Sequence, residues 1–358
     1  MATAAQRRIK SVSYAKYGYI FTAPFFIVYF IFSLWPLIQT FILAFYGNGD
    51  NNVHDSIEAS ESINAFVGMQ NFKTILFTST ERALRREHTV FFKDLFNTVV
   101  IWCGNFLPQI ALSLLLAVWF TDMRVKMPGK GFFKVVMYMP NIITAASIAA
   151  LFLNLFGDSK YSVINSFMIS HGYIDESQPL QLIQGGEAAA WSSRIIVMFI
   201  QVWMWFGNTM IMLMAGIQGI NESLFEAAEI DGANTQQTFW RITFPLLRSI
   251  MVYTLLTSMI GGLQMFDIPY MLHTGTNNVE YIETVAIYIY KKFHNDYLSP
   301  SYGYSAAASV ILFIITSILG ALVFYVQRDK DAIANNKKKK QMLKEAKRKA
   351  ARGGGFSI

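Results

Sequence analysis

The chain has 358 residues, of which 53% are apolar and only 15% charged, against about 25% charged in an ordinary soluble domain. The formal net charge is +7, but 11 of the 30 Lys and Arg lie at or after Arg328, so the excess is a basic tail and not a nucleic-acid-binding face. The one cysteine, Cys103, excludes a disulfide within the chain and a Cys-rich metal site.

A membrane-crossing helix needs about 20 mostly apolar residues. Residues 1–18 form a tail with Arg7, Arg8, Lys10 and Lys16, and the first span follows at 19–46. That run is longer than the apolar part of a signal peptide, about 7–15 residues, and Phe45-Tyr46-Gly47 is too bulky for a cleavage site, so the helix is retained. Residues 47–93 read as a long polar loop with an acidic insert around Asn48 to Glu61. A five-helix core, residues 94–327, holds spans at 97–120, 132–156, 195–217, 249–272 and 306–326. Backbone groups in lipid must bond within the segment, so the fold class is all-α, a polytopic bundle of six transmembrane helices. Residues 328–358, with "NNKKKKQMLKEAKRKAARGGG", form a basic tail that is solvated or lies on lipid headgroups. With both termini cytoplasmic, the inside segments carry 21 Lys and Arg and the outside segments 9, which the positive-inside rule favours. Without the tail the margin is 10 against 9.

Between the fourth and fifth spans lies a charged segment, 221–245, that cannot cross a membrane. "NESLFEAAEIDGA" opens with Ser223 and Glu226 in capping-box spacing, and Ala227, Ala228 and Glu229 favour helix. Gly232 stands where a left-handed residue ends a helix. Asn234 or Thr235 starts a second helical stretch, and Pro245 marks the approach to the fifth span. Glu222, Glu226 and Glu229 form an acidic stripe, with Leu224, Phe225, Ala228 and Ile230 elsewhere on the helix. The residues alone leave two readings: a linker helix resting on its own bundle, or a docking element for a soluble partner.

The stretch "EAAEIDGANTQQTFWRITFPLL" resembles the EAA loop of membrane subunits in binding-protein-dependent ABC importers: Glu226, Ala227, Ala228, Asp231, Gly232, Ala233, Phe239, Ile242 and Pro245 match that pattern. "FVGMQNF", "FFKDLFNTVV", "FFKVVMYMPNII" and "QMFDIPYMLHTG" resemble further segments of the carbohydrate-uptake members, similar to the larger permease of maltose-type importers. The resemblance implies a bacterial cell-membrane permease paired with a second homologous permease as a heterodimer. It implies two cytoplasmic ATPase subunits holding ATP and Mg, an extracellular substrate-binding protein, and a sugar or oligosaccharide as substrate. The coupling residues would be Glu226, Ala227, Ala228, Asp231, Gly232 and Ala233, seated as a ball in a socket on an ATPase. No cofactor is expected in this chain, and no enzyme activity of its own. The chain has no G-x-x-x-x-G-K-[ST], no G-x-S-x-G and no H-E-x-x-H. "PGKGFFK" lacks the phosphate-loop spacing, and His54, His88, His171, His273 and His294 are scattered.

Polar residues inside spans mark pathways. Gln201, Trp205 and Asn208 share one face of the fourth span, and an aromatic ring flanked by amides suits a sugar. In the fifth span Thr254, Ser258, Gly262 and Met265 would share a face, with Gln264 and Asp267 near its outer end. The substrate-lining set is therefore Gln201, Trp205, Asn208, Ser258, Gly262, Met265, Gln264 and Asp267. Helix–helix packing is the alternative at each small or amide position, and Asn105 and Gln109 near Pro108 read as packing or gate residues. Lys and Arg stay near span ends, which points to a neutral substrate. An importer of the same build for glycerol phosphate, amino acids or polyamines is one rival. A self-sufficient secondary transporter is another, and it leaves segment 221–245 without a purpose.

Overall fold

The structure is a computed structural model that describes residues 15–47, 65–77, 82–122, 127–183, 186–273, 280–294, 301–327 and 340–343. The acidic insert and most of both tails lie outside the described residues. The described residues are helical apart from loops and one isolated bridge between Tyr46 and Phe66.

Among the described residues five helices are long and apolar enough to cross a membrane: α1 (Lys16–Leu43), α2 (Arg82–Thr121), the Glu187–Gln218 stretch whose α-helical part is α5 (Ala190–Gln218), the Arg248–Leu272 stretch, and α10 (Tyr302–Gln327). The expected third span is not one helix. It is α3 (Lys130–Tyr138) and α4 (Ala145–Phe156), bent by 94° across a 3-10 turn, Met139–Ile142. Pro140 lacks an N–H and its ring excludes the preceding turn of an α-helix. The chain leaves the helix at Ile143 and restarts where the Thr144 hydroxyl accepts the Ser147 N–H. The fifth span is also interrupted: α7 (Arg248–Leu263) stops at Gln264 and α8 (Asp267–His273) follows.

Two prolines widen the helices before them. Pro36 follows a π-helical turn, Phe30–Leu34, and Pro245 follows another, Phe239–Thr243. In each case the missing proline N–H frees a carbonyl one turn earlier, and the wider turn takes up the mismatch.

The chain divides into two compact units. One comprises residues 1–95 and 285–313. In it, Tyr288 of α9 (Val285–His294) is fully buried against Phe91, its hydroxyl donating to Glu87 at 2.9 Å. The Lys292 ammonium bonds the other Glu87 oxygen at 2.5 Å. Burial, then the Glu87 charge, push the Tyr288 phenol well above its ordinary range.

The second unit comprises residues 96–284 and 314–358. Its centre is α5. Met210, Leu213, Met214 and Ile217 recur at helical spacing and pack with Leu116, Ala117, Phe120, Leu247 and Met251. Further along α5, Ile196, Ile200 and Met204 join Ile148 and Phe152 of α4. Two polar bonds tie α2 to α5: Gln109 Nε2 donates to Thr209 Oγ1 at 2.9 Å, and Ser113 Oγ donates to the Phe206 carbonyl at 2.8 Å. Bonds of this kind contribute about 0.6 kcal/mol each on average in membrane proteins. The packing alternative is thus realised at Gln109.

Candidate coupling helix and substrate path

The segment after α5 forms α6 (Glu222–Ile230). Its cap is not the one expected. Asn221, in extended conformation, accepts the Ser223 N–H at 3.1 Å, and Ser223 already lies in the first helical turn. The Asn221 side chain reaches that orphan donor first, because it stands just outside the helix. The other end is as expected. Gly232 has φ +72°, the Ala233 N–H reaches the Ala228 carbonyl at 2.9 Å and the Gly232 N–H the Glu229 carbonyl at 3.0 Å. This pair of bonds closes the helix in a Schellman turn. Asn234 caps the next helix, Thr235–Thr238, in a reciprocal capping box with Gln237. Gln237 was the unmarked half of that signal.

The faces of α6 now separate. Ala228 is buried, and Phe225 is half-buried against the core around Leu213 and Ile217. Ala227, Asp231 and Gly232 are exposed, and Ala233 is half-buried. Ile230 stands 86% exposed, with Leu224 also in the open. The acidic stripe Glu222, Glu226 and Glu229 borders a cavity of about 390 Å³ whose other walls come from the ends of α2 and α5 and from Phe239. Of the two adjacent alanines, one packs inward and one is offered outward.

In the path proposed for substrate, Gln201 is buried, Asn208 half-buried and Trp205 exposed along one strip of α5. Ser258 is half-buried on α7. Gly262 is a packing position: a Cβ there would lie 2.3 Å from Trp102 Cδ1. The space beside it is filled by an indole, not left for a ligand. The stripe from Thr254 to Met265 is not continuous either, because α7 ends at Leu263. Met265 is carried into the core with Ile268 and Ile282, and Thr284 Oγ1 donates to its carbonyl at 2.8 Å. Gln264 and Asp267 are exposed, and Asp267 sits in the first turn of α8, where the helix dipole favours a carboxylate.

One residue was missed. Arg194, within the apolar stretch Glu187–Gln218, is only 7% exposed. Its guanidinium donates twice to Asn97 Oδ1, at 3.1 and 2.8 Å, between the rings of Phe96, Trp191 and Tyr281. Nothing local in the sequence linked Arg194 to Asn97. Among the described residues no group of three or more His, Cys, Asp and Glu is placed to hold a metal ion.

A bundle of apolar helices interrupted by one doubly capped amphipathic helix defines a multi-pass membrane protein. A family model described as "Binding-protein-dependent transport system inner membrane component" matches residues 88–331. The chain is 26% identical to the arabinooligosaccharides transport system permease protein AraP of Bacillus subtilis (strain 168), covering 90% of this chain and 92% of that protein. It is 26% identical to the lactose transport system permease protein LacF of Rhizobium radiobacter, covering 92% and 100%. With the sn-glycerol-3-phosphate transport system permease protein UgpA of Agrobacterium fabrum the identity is 30%, covering 86% and 92%. The fold is similar to that in the crystal structure of a bacterial ABC transporter involved in the import of the acidic polysaccharide alginate, with TM-score 0.68, 21% identity, and 87% and 95% of the two chains covered. The chain belongs to the family of binding-protein-dependent transport system inner membrane components.

Proposed function

We propose that this chain is one of two homologous permeases that form the passage of an ABC importer for a neutral sugar or oligosaccharide. An extracellular binding protein delivers the substrate. Two cytoplasmic ATPases grip α6 and drive the bundle between outward and inward access. The observation that carries the coupling is the outward face of α6: Ile230, 86% exposed on a helix capped at both ends, with Ala227 beside it. Leaving a large aliphatic side chain in water forgoes about 1.5–3 kcal/mol of burial, which a docked partner recovers. Caps at Asn221 and Gly232 make the helix a rigid body that transmits a push.

The named substrates of AraP and LacF support a carbohydrate. Trp205 beside Gln201 and Asn208 supplies a ring for the C–H face of a sugar and amides for its hydroxyls. Arg194 is engaged by Asn97 and boxed by three rings, which leaves the neutral reading in place. The test is Ile230→Arg in a complex reconstituted with its second permease, ATPases and binding protein. The variant inserts and assembles its bundle normally but loses ATPase stimulation by loaded binding protein. Normal stimulation and uptake would remove α6 from the coupling role.

A further inference from the structure

The cavity against α6 has an acidic rim of Asp122, Glu222, Glu226 and Glu229, and apolar walls that include Val118 and Phe225. Its described lining residues include no Lys or Arg. The end of α5 borders it; counting the Arg248–Leu272 stretch and α10 as one crossing each, by their length and apolar composition, puts the end of α10 on that same side. There the chain continues into residues 328–358, with 11 Lys and Arg. Inside this basic segment Lys340–Leu343 forms a helical turn on which Met342 and Leu343 are both exposed. Lysines flank the pair, at 337–340 with Gln341 between, and at 344 directly after Leu343. Residues 328–339 span up to about 40 Å when extended, at roughly 3.3–3.6 Å per residue.

We propose that the basic C-terminal segment docks in this cavity of its own chain, with Met342 and Leu343 against the apolar wall and the flanking lysines on the carboxylate rim. The segment and the cavity are complementary in two properties at once, an apolar pair for an apolar wall and cations for anions. Docking presses on the face of α6 turned toward the bundle and leaves Ile230 free on the other face. The C-terminal segment is thereby a built-in regulator of how firmly α6 is held. That consequence rests on the coupling role of α6; the docking itself does not.

The test uses the full-length chain in its assembled complex, with Cys103→Ser and new cysteines from Val118→Cys and Leu343→Cys, in nanodiscs of neutral phosphatidylcholine. A short bis-maleimide crosslinks the pair. Replacing Lys337, Lys338, Lys339 and Lys340 by Gln, which leaves the described helices of the bundle untouched, lowers the crosslinking rate about tenfold, as does the triple change of Glu222, Glu226 and Glu229 to Gln. No crosslinking above that of Leu343→Cys with a cysteine at exposed Tyr161 overturns the proposal. So does crosslinking indifferent to both sets of charges, or tail protection that appears only when anionic lipid is added, which assigns the segment to the membrane surface. Ile230→Arg separates the two ideas: it abolishes ATPase stimulation and leaves the crosslink intact.

Discussion

Gly232 offers the sharpest perturbation of the coupling helix. It holds φ +72° and closes the Schellman turn. A Cβ built there meets nothing within 4 Å. Replacement by Ala therefore brings no clash, and its whole cost is the left-handed backbone, about 1–2 kcal/mol for an L-residue. Asn tolerates that conformation and recovers most of the cost. Pro fails altogether, since its φ is fixed near −65° and the Gly232 N–H bonds the Glu229 carbonyl. If α6 must be closed to engage the ATPase, a penalty of about 1–2 kcal/mol lowers the competent population by up to roughly 5–30-fold. The expected order of binding-protein-stimulated ATPase activity is Gly, then Asn, then Ala, then Pro, with equal amounts of each variant in the membrane. The assay is ATPase stimulation in proteoliposomes, with uptake of labelled sugar measured in parallel. Equal activity of the Ala and Asn variants would show that the left-handed turn is irrelevant, and the reasoning would fail.

Gly262→Ala drives a methyl group into Trp102 and lowers the midpoint of thermal unfolding in detergent, at a cost of about 1–3 kcal/mol. Pairing it with Trp102→Phe, which makes room, restores part of the loss. Glu87→Gln removes the carboxylate charge that Tyr288 and Lys292 both bond and loosens α9, which faster hydrogen exchange of that helix reports. The Tyr288 phenol is raised in the folded chain, so above pH about 10 the unfolded chain loses this proton first. Stability contributed by the neutral phenol is full below that pH and falls as pH rises further, and Tyr288→Phe flattens the alkaline loss in a thermal-unfolding series. Trp205→Ala raises the KM for sugar uptake about 2–10-fold through loss of ring stacking, with the uptake assay read at several concentrations.

Much was legible in the chain because membranes impose strict local rules. Twenty apolar residues must be a helix in lipid, whatever surrounds them, so the spans 97–120, 195–217 and 306–326 fall on helices, and 19–46 does so as far as Leu43. Gly232 was readable for a similar reason: only local backbone geometry decides whether a left-handed residue is needed. Pro140 was visible as a proline, but not as a 94° bend, because bending depends on what packs against the freed turn. The cap passed from Ser223 to Asn221 because the helix begins at Glu222 and Ser223 lies inside its first turn, where its own N–H is the donor that Asn221 accepts; a shift of two residues lies below the resolution of a motif.

The side-chain assignments belong to the tertiary structure. Helical periodicity says which residues share a stripe; it does not say what that stripe touches. Gly262 joined the expected path as a small residue, yet the Trp102 indole occupies its face. Met265 joined by spacing, yet the helix ends two residues before it and folds it into the core. Arg194 and Asn97 lie 97 positions apart and meet only because α5 packs on α2. Composition, hydropathy and capping signals sufficed for the helices and the capped charged segment, since those follow from the solvent and from neighbours along the chain. Which faces are open, which are filled and which acids ring a cavity depend on contacts between distant segments, and those exist only once the helices have packed.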